Sequence, residues 1–341
     1  MPTLSESVQL HTLCKPVHKS VERLRRILKE QEIDVIINQW CLPYYVTSAC
    51  RQAMKGLSCR LVAVHHNAPN LNARIVRATM AVARADNIWR RFFAKTKLGL
   101  YKLATQMSMK YVYRHSDAYV LLSECFRESF QHITGIKNAD KLCVIPNPLT
   151  LDGAPPKFEE KSCEILYVGR LERIQKRVDR VLLVWNILQK KFPQWSIRIV
   201  GDGPDRAALE AMSAELGLER IRFEGFRSPK EFYHRASVLL LTSEFEGFGL
   251  VICEGMHFGV IPVVYGSYTA AYDIIDDNVN GYVVEATHGF PAEEMANYVA
   301  MVMKDKEKRD EMYHQSISRS GLFNLENIAC KWNSLFRRIV S

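Results

Sequence analysis

The feature that most constrains this chain is an alternation of short apolar runs with longer amphipathic segments, which occurs in both halves. In the first half the runs are DVIINQW, RLVAVHH and DAYVLLSECF. In the second half they are EILYVGR, SIRIVGDG, IRFEGF, SVLLLTS, IPVVYG and GYVVE. Uninterrupted apolar strands with helices between them are typical of parallel sheets that are covered on both faces. The alternation therefore predicts an α/β fold with two doubly wound domains.

Two helix signals accompany the strands of the first half. In VHKSVERLRRILKEQ the apolar residues recur at helical spacing, as Val17, Val21, Leu24 and Leu28. This stripe predicts an amphipathic helix ahead of the first strand. Ser123 follows the third apolar run, and we expect its hydroxyl to cap the next helix.

The length of 341 residues is enough for two domains of about 150 residues each. The segment IPNPLTLDGAPPKFEEKS, residues 145–162, is rich in proline and polar residues and is typical of a linker. We therefore predict a first domain over residues 1–149 and a second over residues 150–323. We expect residues 324–341 to form a final helix that returns toward the first domain.

The nine cysteines are scattered, odd in number and without a C-x-x-C pair. This pattern argues against a disulfide framework and against a structural zinc site. No apolar run approaches the roughly 20 residues of a membrane span, and the N-terminus lacks the pattern of a signal peptide. We expect a cytoplasmic protein.

Positive charge is concentrated in the first half of the chain. Residues 1–150 contain 22 Lys and Arg against 10 Asp and Glu, whereas residues 151–341 contain 24 against 27. Ten cations fall in residues 74–114, the basic segment, where Asp86 is the one acid. These cations are Arg74, Arg77, Arg84, Arg90, Arg91, Lys95, Lys97, Lys102, Lys110 and Arg114.

Several interpretations of the basic segment remain open. It could be a solvated helical face, or it could bind an anionic membrane surface, a phosphate-bearing substrate or nucleic acid. Nucleic acid ranks last because the chain has no RNP, zinc-finger or helix-turn-helix signature. The cations alternate with Ile88, Trp89, Phe92, Phe93, Leu98, Leu100 and Tyr101. This mixture suits the headgroup boundary of a bilayer, but the same aromatic residues could instead pack into the core.

Ligands of parallel sheets bind beyond the carboxyl ends of the strands, so the residues that follow each strand are the candidates for a site. Arg170 and Lys176 follow the strand in EILYVGRLERIQK. A guanidinium and an ammonium group together suit a pyrophosphate, although both residues could be ordinary surface charges. In VGDGPDR, Arg206 stands where a G-x-G-x-x-G motif needs its third glycine. A nicotinamide cofactor is therefore disfavoured.

The segment SEFEGFGLVICEG predicts a loop followed by a helix. Gly247 and Gly249 let the backbone approach a ligand, and the N-terminus of the helix offers N–H groups to an anion. Glu246 and Glu254 stand eight positions apart, and carboxylates accept hydrogen bonds from sugar hydroxyls. The segment therefore suits a ligand that is part phosphate and part polyol. Alternatively, Glu246 complements the helix dipole and Glu254 has a buried partner.

In combination these motifs resemble those of a known family. The spacing E-x7-E in EGFGLVICE, with VGRLERIQK, VGDGP, GVIPVV and NGYVV, is similar to the retaining glycosyltransferases of family 4, which have the GT-B fold. His66 in VAVHHNAP matches the histidine that follows a strand of the family's first domain. The resemblance covers roughly residues 17–340. It implies two Rossmann-like domains that face a cleft.

The resemblance also implies roles for individual residues. Arg170 and Lys176 would hold the donor pyrophosphate and stabilise its growing charge as the glycosidic bond breaks. Glu246 would lie by the donor sugar, His66 would reach that sugar from the opposite wall, and Glu254 would bind the ribose hydroxyls. The four residues expected to act in catalysis are therefore Glu246, His66, Arg170 and Lys176. The donor-binding loop would be formed by Gly247, Phe248, Gly249 and Leu250.

The implied substrates are a UDP- or GDP-linked sugar and a glycan or lipid-linked oligosaccharide acceptor of surface polysaccharide synthesis. We expect no cofactor, no metal ion and no nucleic acid. Lipid-linked acceptors would place the protein at the inner face of the cell membrane, where the basic segment could contact anionic lipid.

The chain departs from the family pattern at its start. Family members usually begin with a strand and a glycine-rich loop, whereas here a helix begins about 17 residues in. We therefore expect the first domain to be incomplete. The alternative hypothesis is a catalytically inactive GT-B remnant that binds nucleotide sugar or a partner transferase.

Overall fold

The first half of the protein forms a four-stranded parallel sheet, seen in a computed structural model that describes residues 8–286 and 289–341. The strands lie side by side in chain order. They are β1 (Val35–Asn38), β2 (Arg60–His65), β3 (Ala118–Leu121) and β4 (Leu142–Val144). The helices of this half are α1 (Val21–Glu30), α2 (Tyr44–Met54), α3 (Ala73–Ala83), α4 (Ile88–His115) and α5 (Phe126–Thr134).

One face of this first sheet is covered by helices of the same half. Leu28 of α1 and Met54 of α2 pack with Leu61 of β2 in one buried cluster. Further along the sheet, Tyr119 of β3 contacts the ring of Phe130 of α5, with ring centroids 4.9 Å apart. The pairing register places these contacts on one face, because residues that pair across parallel strands point to the same side.

The second half forms a six-stranded parallel sheet in the order β10-β9-β8-β5-β6-β7. Its strands are β5 (Glu164–Val168), β6 (Ser196–Val200), β7 (Ile221–Gly225), β8 (Val238–Leu241), β9 (Ile261–Gly266) and β10 (Tyr282–Glu285). From β5 the sheet grows in one direction through β6 and β7, and from β8 it grows in the other. The strand order therefore reverses between β5 and β8, where connections diverge and leave a crevice at the carboxyl ends.

Helices flank the second sheet and continue to the end of the chain. They are α6 (Val178–Leu188), α7 (Arg206–Glu215), α8 (Lys230–Arg235), α9 (Leu250–His257), α10 (Ala271–Ile274), α11 (Ala292–Lys304), α12 (Lys306–Ser320) and α13 (Leu325–Val340). Short 3-10 helices occur at Val17–Ser20, Phe158–Glu160 and Gly321–Phe323. The last helix, α13, lies beside β4, where Leu335 is buried and Arg338 donates to the sulfur of Cys143 at 2.8 Å.

The predicted α/β fold with two parallel-sheet domains is confirmed. Each of the nine apolar runs contains a strand, as predicted. β4 is the strand that the sequence pattern missed, because three residues followed by the proline-rich segment give too short a signal. The helix predicted from the stripe at Val17 is divided into a 3-10 turn, Val17–Ser20, and α1.

The capping role predicted for Ser123 is wrong. The N-cap position of α5 is Cys125, which makes no side-chain cap. The Ser123 hydroxyl donates instead to the Asp273 carboxylate of the second half, and that carboxylate also accepts the backbone N–H of Cys125 at 3.1 Å. Asp273 therefore supplies from the other half the acceptor that was expected from Ser123.

Packing of α13 against the first half predicts unequal costs for two leucines of the same helix. Leu335→Ala should lower the free energy of unfolding by about 3 kcal/mol, since it removes a buried side chain. Leu325→Ala, at a position that is 63% exposed, should cost less than about 0.5 kcal/mol. Urea unfolding followed by circular dichroism measures both, and equal costs would show that α13 is not held through Leu335.

Candidate functional site

The candidate site lies where the strand order of the second sheet reverses. β5 and β8 are paired neighbours, so the loops that follow them leave the same edge side by side. The two loops are joined by hydrogen bonds: the N–H of Glu244 donates to the carbonyl of Gln175 at 2.7 Å, and the Gln175 amide donates to the carbonyl of Phe245 at 3.3 Å. The crevice therefore has one composite wall built from both loops.

A partly buried ion pair joins the same two loops. Lys176 Nζ lies 2.6 Å from Glu246 Oε1, and the two side chains are 18% and 8% exposed. The Ser243 hydroxyl donates to the same oxygen at 2.7 Å. Both hydrogen bonds are made to Oε1. Among residues 8–286 and 289–341, neither Lys176 nor Ser243 bonds to Oε2 of Glu246. This oxygen can accept a hydrogen bond from a ligand hydroxyl, and the ammonium group retains donors for an anion.

Arg180 holds the loop after β8 in place. Its guanidinium lies 4.9 Å from the ring centroids of Tyr265 and Phe290. It donates to the carbonyl of Thr242 at 3.2 Å and to the carboxylate of Glu244 at 2.6 Å. A buried guanidinium held by stacking and by charge-assisted hydrogen bonds is a rigid anchor. The position of Glu246 is thus set by a framework and does not depend on the ion pair alone.

Helix α9 begins directly after the glycine pair. Gly249 has a positive φ of 95° at the N-cap position, a conformation that favours glycine, and no side chain in the described part of the chain caps the helix there. The N–H of Ile252 donates to the carbonyl of Gly249 at 2.9 Å. Among the described residues, the other N–H groups of the first turn have no side-chain partner. A Cβ on Gly247 would lie 2.2 Å from the carbonyl oxygen of His66. Only glycine permits this close approach between the loop after β8 and the loop after β2.

Glu254 lies on α9 and has a partner. The Tyr233 hydroxyl of α8 donates to Glu254 Oε2 at 2.9 Å. Burial raises the pKa of the Glu254 carboxyl, and the bond from Tyr233 lowers it to a smaller extent. The buried partner that the sequence left open is therefore Tyr233. Because it occupies one oxygen, the other is left for a ligand.

His66 follows β2 and faces the glycine loop through its backbone. Its side chain is half-buried, and Nε2 lies 2.5 Å from Oε1 of Gln39, which follows β1. Burial lowers the pKa of His66, so the neutral imidazole is favoured at pH 7. The structure thus brings His66 and Gly247 together across the cleft.

Arg170 occupies a different part of the same edge. It is exposed and lines a cavity of about 730 Å³ that also includes residues after β6 and β7. Phe226 stands at this cavity with 91% of its surface exposed, next to Arg227. An exposed aromatic ring beside a cavity offers a stacking surface to a planar ligand. Arg170 makes none of the contacts that join Lys176 and Glu246.

The structure shows site residues that the sequence did not suggest. Gln39, Ser243 and Phe226 each follow a strand of their sheet, so the rule applied to Arg170 and Lys176 could have found them. Tyr233 and Arg180 gave no such signal, because their partners are distant in sequence. No group of three or more His, Cys, Asp and Glu able to hold a metal ion occurs among the described residues. In the same part of the chain, no helix has both the length and the apolar character needed to cross a membrane.

Comparison with known proteins decides the family. The model of Glycosyltransferase Family 4 matches residues 7–152, and the model of Glycosyl transferases group 1 matches residues 152–319. The chain belongs to the family 4 glycosyltransferases. The family that the short sequence motifs indicated is thereby confirmed.

This family 4 chain is similar to two curated bacterial transferases over about half of its length. It is 31% identical to the lipopolysaccharide 1,6-galactosyltransferase of Salmonella typhimurium over 176 residues, which is 49% of this chain and 48% of that protein. It is 27% identical over 53% of its length, and 49% of the relative, to a Campylobacter jejuni α-1,4-N-acetyl-D-galactosaminyltransferase whose name specifies an undecaprenol diphosphate-linked glycan. The chain spans about half the length of these relatives.

The fold matches solved glycosyltransferase structures more extensively. The structure of a TarM mutant of S. aureus, in complex with Fondaparinux, alpha-GlcNAc-glycerol and UDP, superposes with a TM-score of 0.70. The match covers 93% of this chain and 58% of that one, at 18% identity. At this level of identity the likeness shows the GT-B fold.

The ion pair of the site predicts a large stability effect. Lys176→Met should lower the free energy of unfolding by about 3 kcal/mol, because it leaves the nearly buried Glu246 carboxylate without its cation. Adding Glu246→Gln should recover most of the loss. As the matched control, Arg90→Met breaks the exposed pair with Asp86 and should cost less than about 1 kcal/mol. Equal losses in urea unfolding would mean that the pair does not hold the two loops.

Proposed function

We propose that this chain is a retaining, metal-independent glycosyltransferase. It would transfer a sugar from a nucleotide diphospho-sugar to a glycan or lipid-linked acceptor in surface polysaccharide synthesis. The observation that carries the proposal is the grouping of Lys176, Glu246 and the uncapped start of α9 in the crevice between β5 and β8. One cation, one carboxylate and a set of N–H groups match a ligand that joins a diphosphate to a sugar.

Lys176, Arg170 and the backbone of the glycine loop would bind the donor diphosphate. The Lys176 ammonium has three N–H donors. One of them donates to Glu246, so two remain for phosphate oxygens. Phe248, Gly249 and Leu250 would add backbone N–H groups at the start of α9. As the glycosidic bond breaks, negative charge grows on the leaving diphosphate, and these fixed donors stabilise it. In this scheme the cations perform the role that a divalent metal could otherwise have.

The donor sugar would lie between Glu246 and His66. Oε2 of Glu246 is available to a sugar hydroxyl, while Oε1 is occupied by Lys176 and Ser243. Because Nε2–H of His66 donates to Oε1 of Gln39, the neutral imidazole has Nδ1 left to accept a hydrogen bond from a sugar hydroxyl on the opposite side. Retention of configuration is proposed from the E-x7-E spacing that the chain shares with retaining family 4 enzymes.

Glu254 and the neighbouring cavity would hold the nucleoside. The free oxygen of Glu254 suits the ribose hydroxyls, since Tyr233 occupies only the other. The cavity of about 730 Å³ has room for a base, and the exposed ring of Phe226 could stack on it. UDP in the TarM complex supports a uridine nucleotide, with GDP-linked sugars as the other class considered.

The acceptor would bind the first domain, near His66 and the loop after β1. Trp40 in that loop is exposed and can stack on a sugar ring. The printed names of the relatives specify lipopolysaccharide and an undecaprenol diphosphate-linked glycan, which supports an acceptor of this class. Such an acceptor places the enzyme on the cytoplasmic side, at the membrane surface.

The first functional prediction concerns the donor. Calorimetry in excess chelator should detect binding of UDP or GDP, with ADP as the comparison nucleotide. Phe226→Ala should weaken that binding about tenfold, because base stacking contributes about 1–3 kcal/mol. Leu322→Ala, an exposed apolar residue outside the cavity, is the matched control. Absence of binding by all three nucleotides, or binding only after a divalent metal is added, would contradict the proposal.

The second functional prediction separates the two glutamates. Glu254→Gln should chiefly raise the donor dissociation constant, whereas Glu246→Gln should chiefly lower kcat for transfer from the donor. Burial raises the pKa of Glu254, so its carboxylate is protonated at a higher pH than that of an exposed glutamate. As the pH is lowered, donor affinity should therefore begin to fall earlier, and Glu254→Gln should abolish this pH dependence. Glu311→Gln, on the exposed surface of α12, is the control. Nucleotide binding without any turnover would support the inactive GT-B remnant instead.

A further inference from the structure

The N-terminal part of α4 exposes an unusual number of large apolar side chains. Ile88, Trp89, Phe92 and Phe93 are 80%, 71%, 60% and 66% exposed. These residues belong to the basic segment, in which the aromatic side chains could have packed into the core. That interpretation is wrong for these four residues. A cluster of exposed apolar side chains on a protein surface is typical of an interaction site.

The exposed residues form one continuous face of α4. At about 100° of rotation per residue, they fall within an arc of about 140°. This apolar stripe consists of Ile88, Trp89, Phe92, Phe93, Leu100, Leu103 and Met107. The opposite arc carries residues that α4 buries or half-buries, among them Leu98, Thr105, Met109 and Val112. The helix is thus apolar on two opposite faces, and the protein covers one of them.

The covered face ties α4 to the rest of the first half. α3 and α4 pack against each other as a helical hairpin, and Asn72 at the start of α3 donates to the Thr105 hydroxyl at 3.2 Å. Ile88 lies 17 residues before Thr105, a distance of about 25 Å along the helix axis. The end of the hairpin, with its four apolar side chains, is therefore far from this anchor. A flat surface such as a bilayer could contact it.

The charges around the stripe decide which partner fits it. Arg90 and Lys97 lie on one flank, and Arg91, Lys95 and Lys102 on the other. The one acid of the basic segment, Asp86, is bound to Arg90 at 2.8 Å. A second copy of this chain would bring like charges together, whereas an anionic lipid surface neutralises them. Tryptophan and phenylalanine between cations suit the headgroup boundary of a bilayer.

The stripe continues toward the cleft. Tyr111, on the edge of the same face, contacts Tyr44 with ring centroids 5.6 Å apart. The backbone N–H of Tyr44 donates to the hydroxyl of Ser108 at 3.0 Å. Tyr44 follows the loop in which Gln39 contacts His66. A surface that binds the stripe would therefore lie beside the loop that leads to the candidate active site.

We propose that the apolar stripe of α4 docks the protein onto an anionic lipid bilayer, with Trp89, Phe92 and Phe93 at the headgroup boundary. The flanking cations contact lipid phosphates and hold the protein there reversibly. If the proposed function is correct, which is the premise of this step, docking presents a lipid-linked acceptor to the cleft from the side of residues 39–45.

Co-sedimentation with vesicles tests the docking without any donor or acceptor. The wild-type chain should bind vesicles of phosphatidylcholine with phosphatidylglycerol at low salt, and binding should fade with added salt or without the anionic lipid. Phe92→Ser with Phe93→Ser should weaken binding about tenfold or more. Arg91→Ala with Lys95→Ala should weaken it about fivefold for each cation removed. The matched control, Met301→Ser with Leu325→Ser, removes two similarly exposed apolar residues from the second half and should bind as the wild type does.

A second readout locates the contact. Lipids brominated in the acyl chains should quench tryptophan fluorescence, and Trp89→Phe should keep binding while losing most of the quenching. The proposal is overturned if the wild type stays in the supernatant with anionic vesicles at low salt, or if Phe92→Ser with Phe93→Ser binds unchanged. A dimer that this double variant disperses would assign the stripe to a second copy instead. A protein that binds vesicles but no nucleotide would refute the proposed function alone.

Discussion

The site depends on a nearly buried carboxylate that needs a cation beside it. Glu246 and Lys176 stand on loops that follow neighbouring strands, and their contact at 2.6 Å draws those loops together where the strand order reverses. Moving an unpaired carboxylate into this environment would be costly, so the pair and the framework around Arg180 stabilise one loop conformation. The position of the free oxygen of Glu246 in the crevice follows from that conformation.

The first half contributes to the site because its backbone lies very close to the glycine loop. Because Gly247 has no side chain, the glycine loop lies against the carbonyl of His66, and the two halves meet there. A second contact forms where the Asp273 carboxylate accepts hydrogen bonds from Ser123 and from the backbone of Cys125. Two separate contacts between the halves fix which loops of the first sheet face the crevice of the second sheet. The chemistry proposed for the cleft therefore requires both sheets.

The strands and the candidate residues could be predicted from the sequence because both signals are local. A continuous apolar run identifies a strand of a covered sheet, and the residues just after it identify the ligand edge, which yielded Arg170, Lys176 and Glu246. The partners could not be predicted, because they come together only in three dimensions. Tyr233 reaches Glu254 from another helix, and Asp273 replaces Ser123 from the other half. The sequence also did not show whether the aromatic side chains of α4 face the core or the solvent, since both faces of the helix are apolar.

Hydrogen exchange measured with and without nucleotide tests most directly that the loops after β5 and β8 form one donor site. Whichever of UDP or GDP binds should slow the exchange of backbone amides in residues 169–177 and 246–254 together, while residues 88–107 stay unchanged. Protection of one loop without the other, or protection confined to the first sheet, would contradict the account.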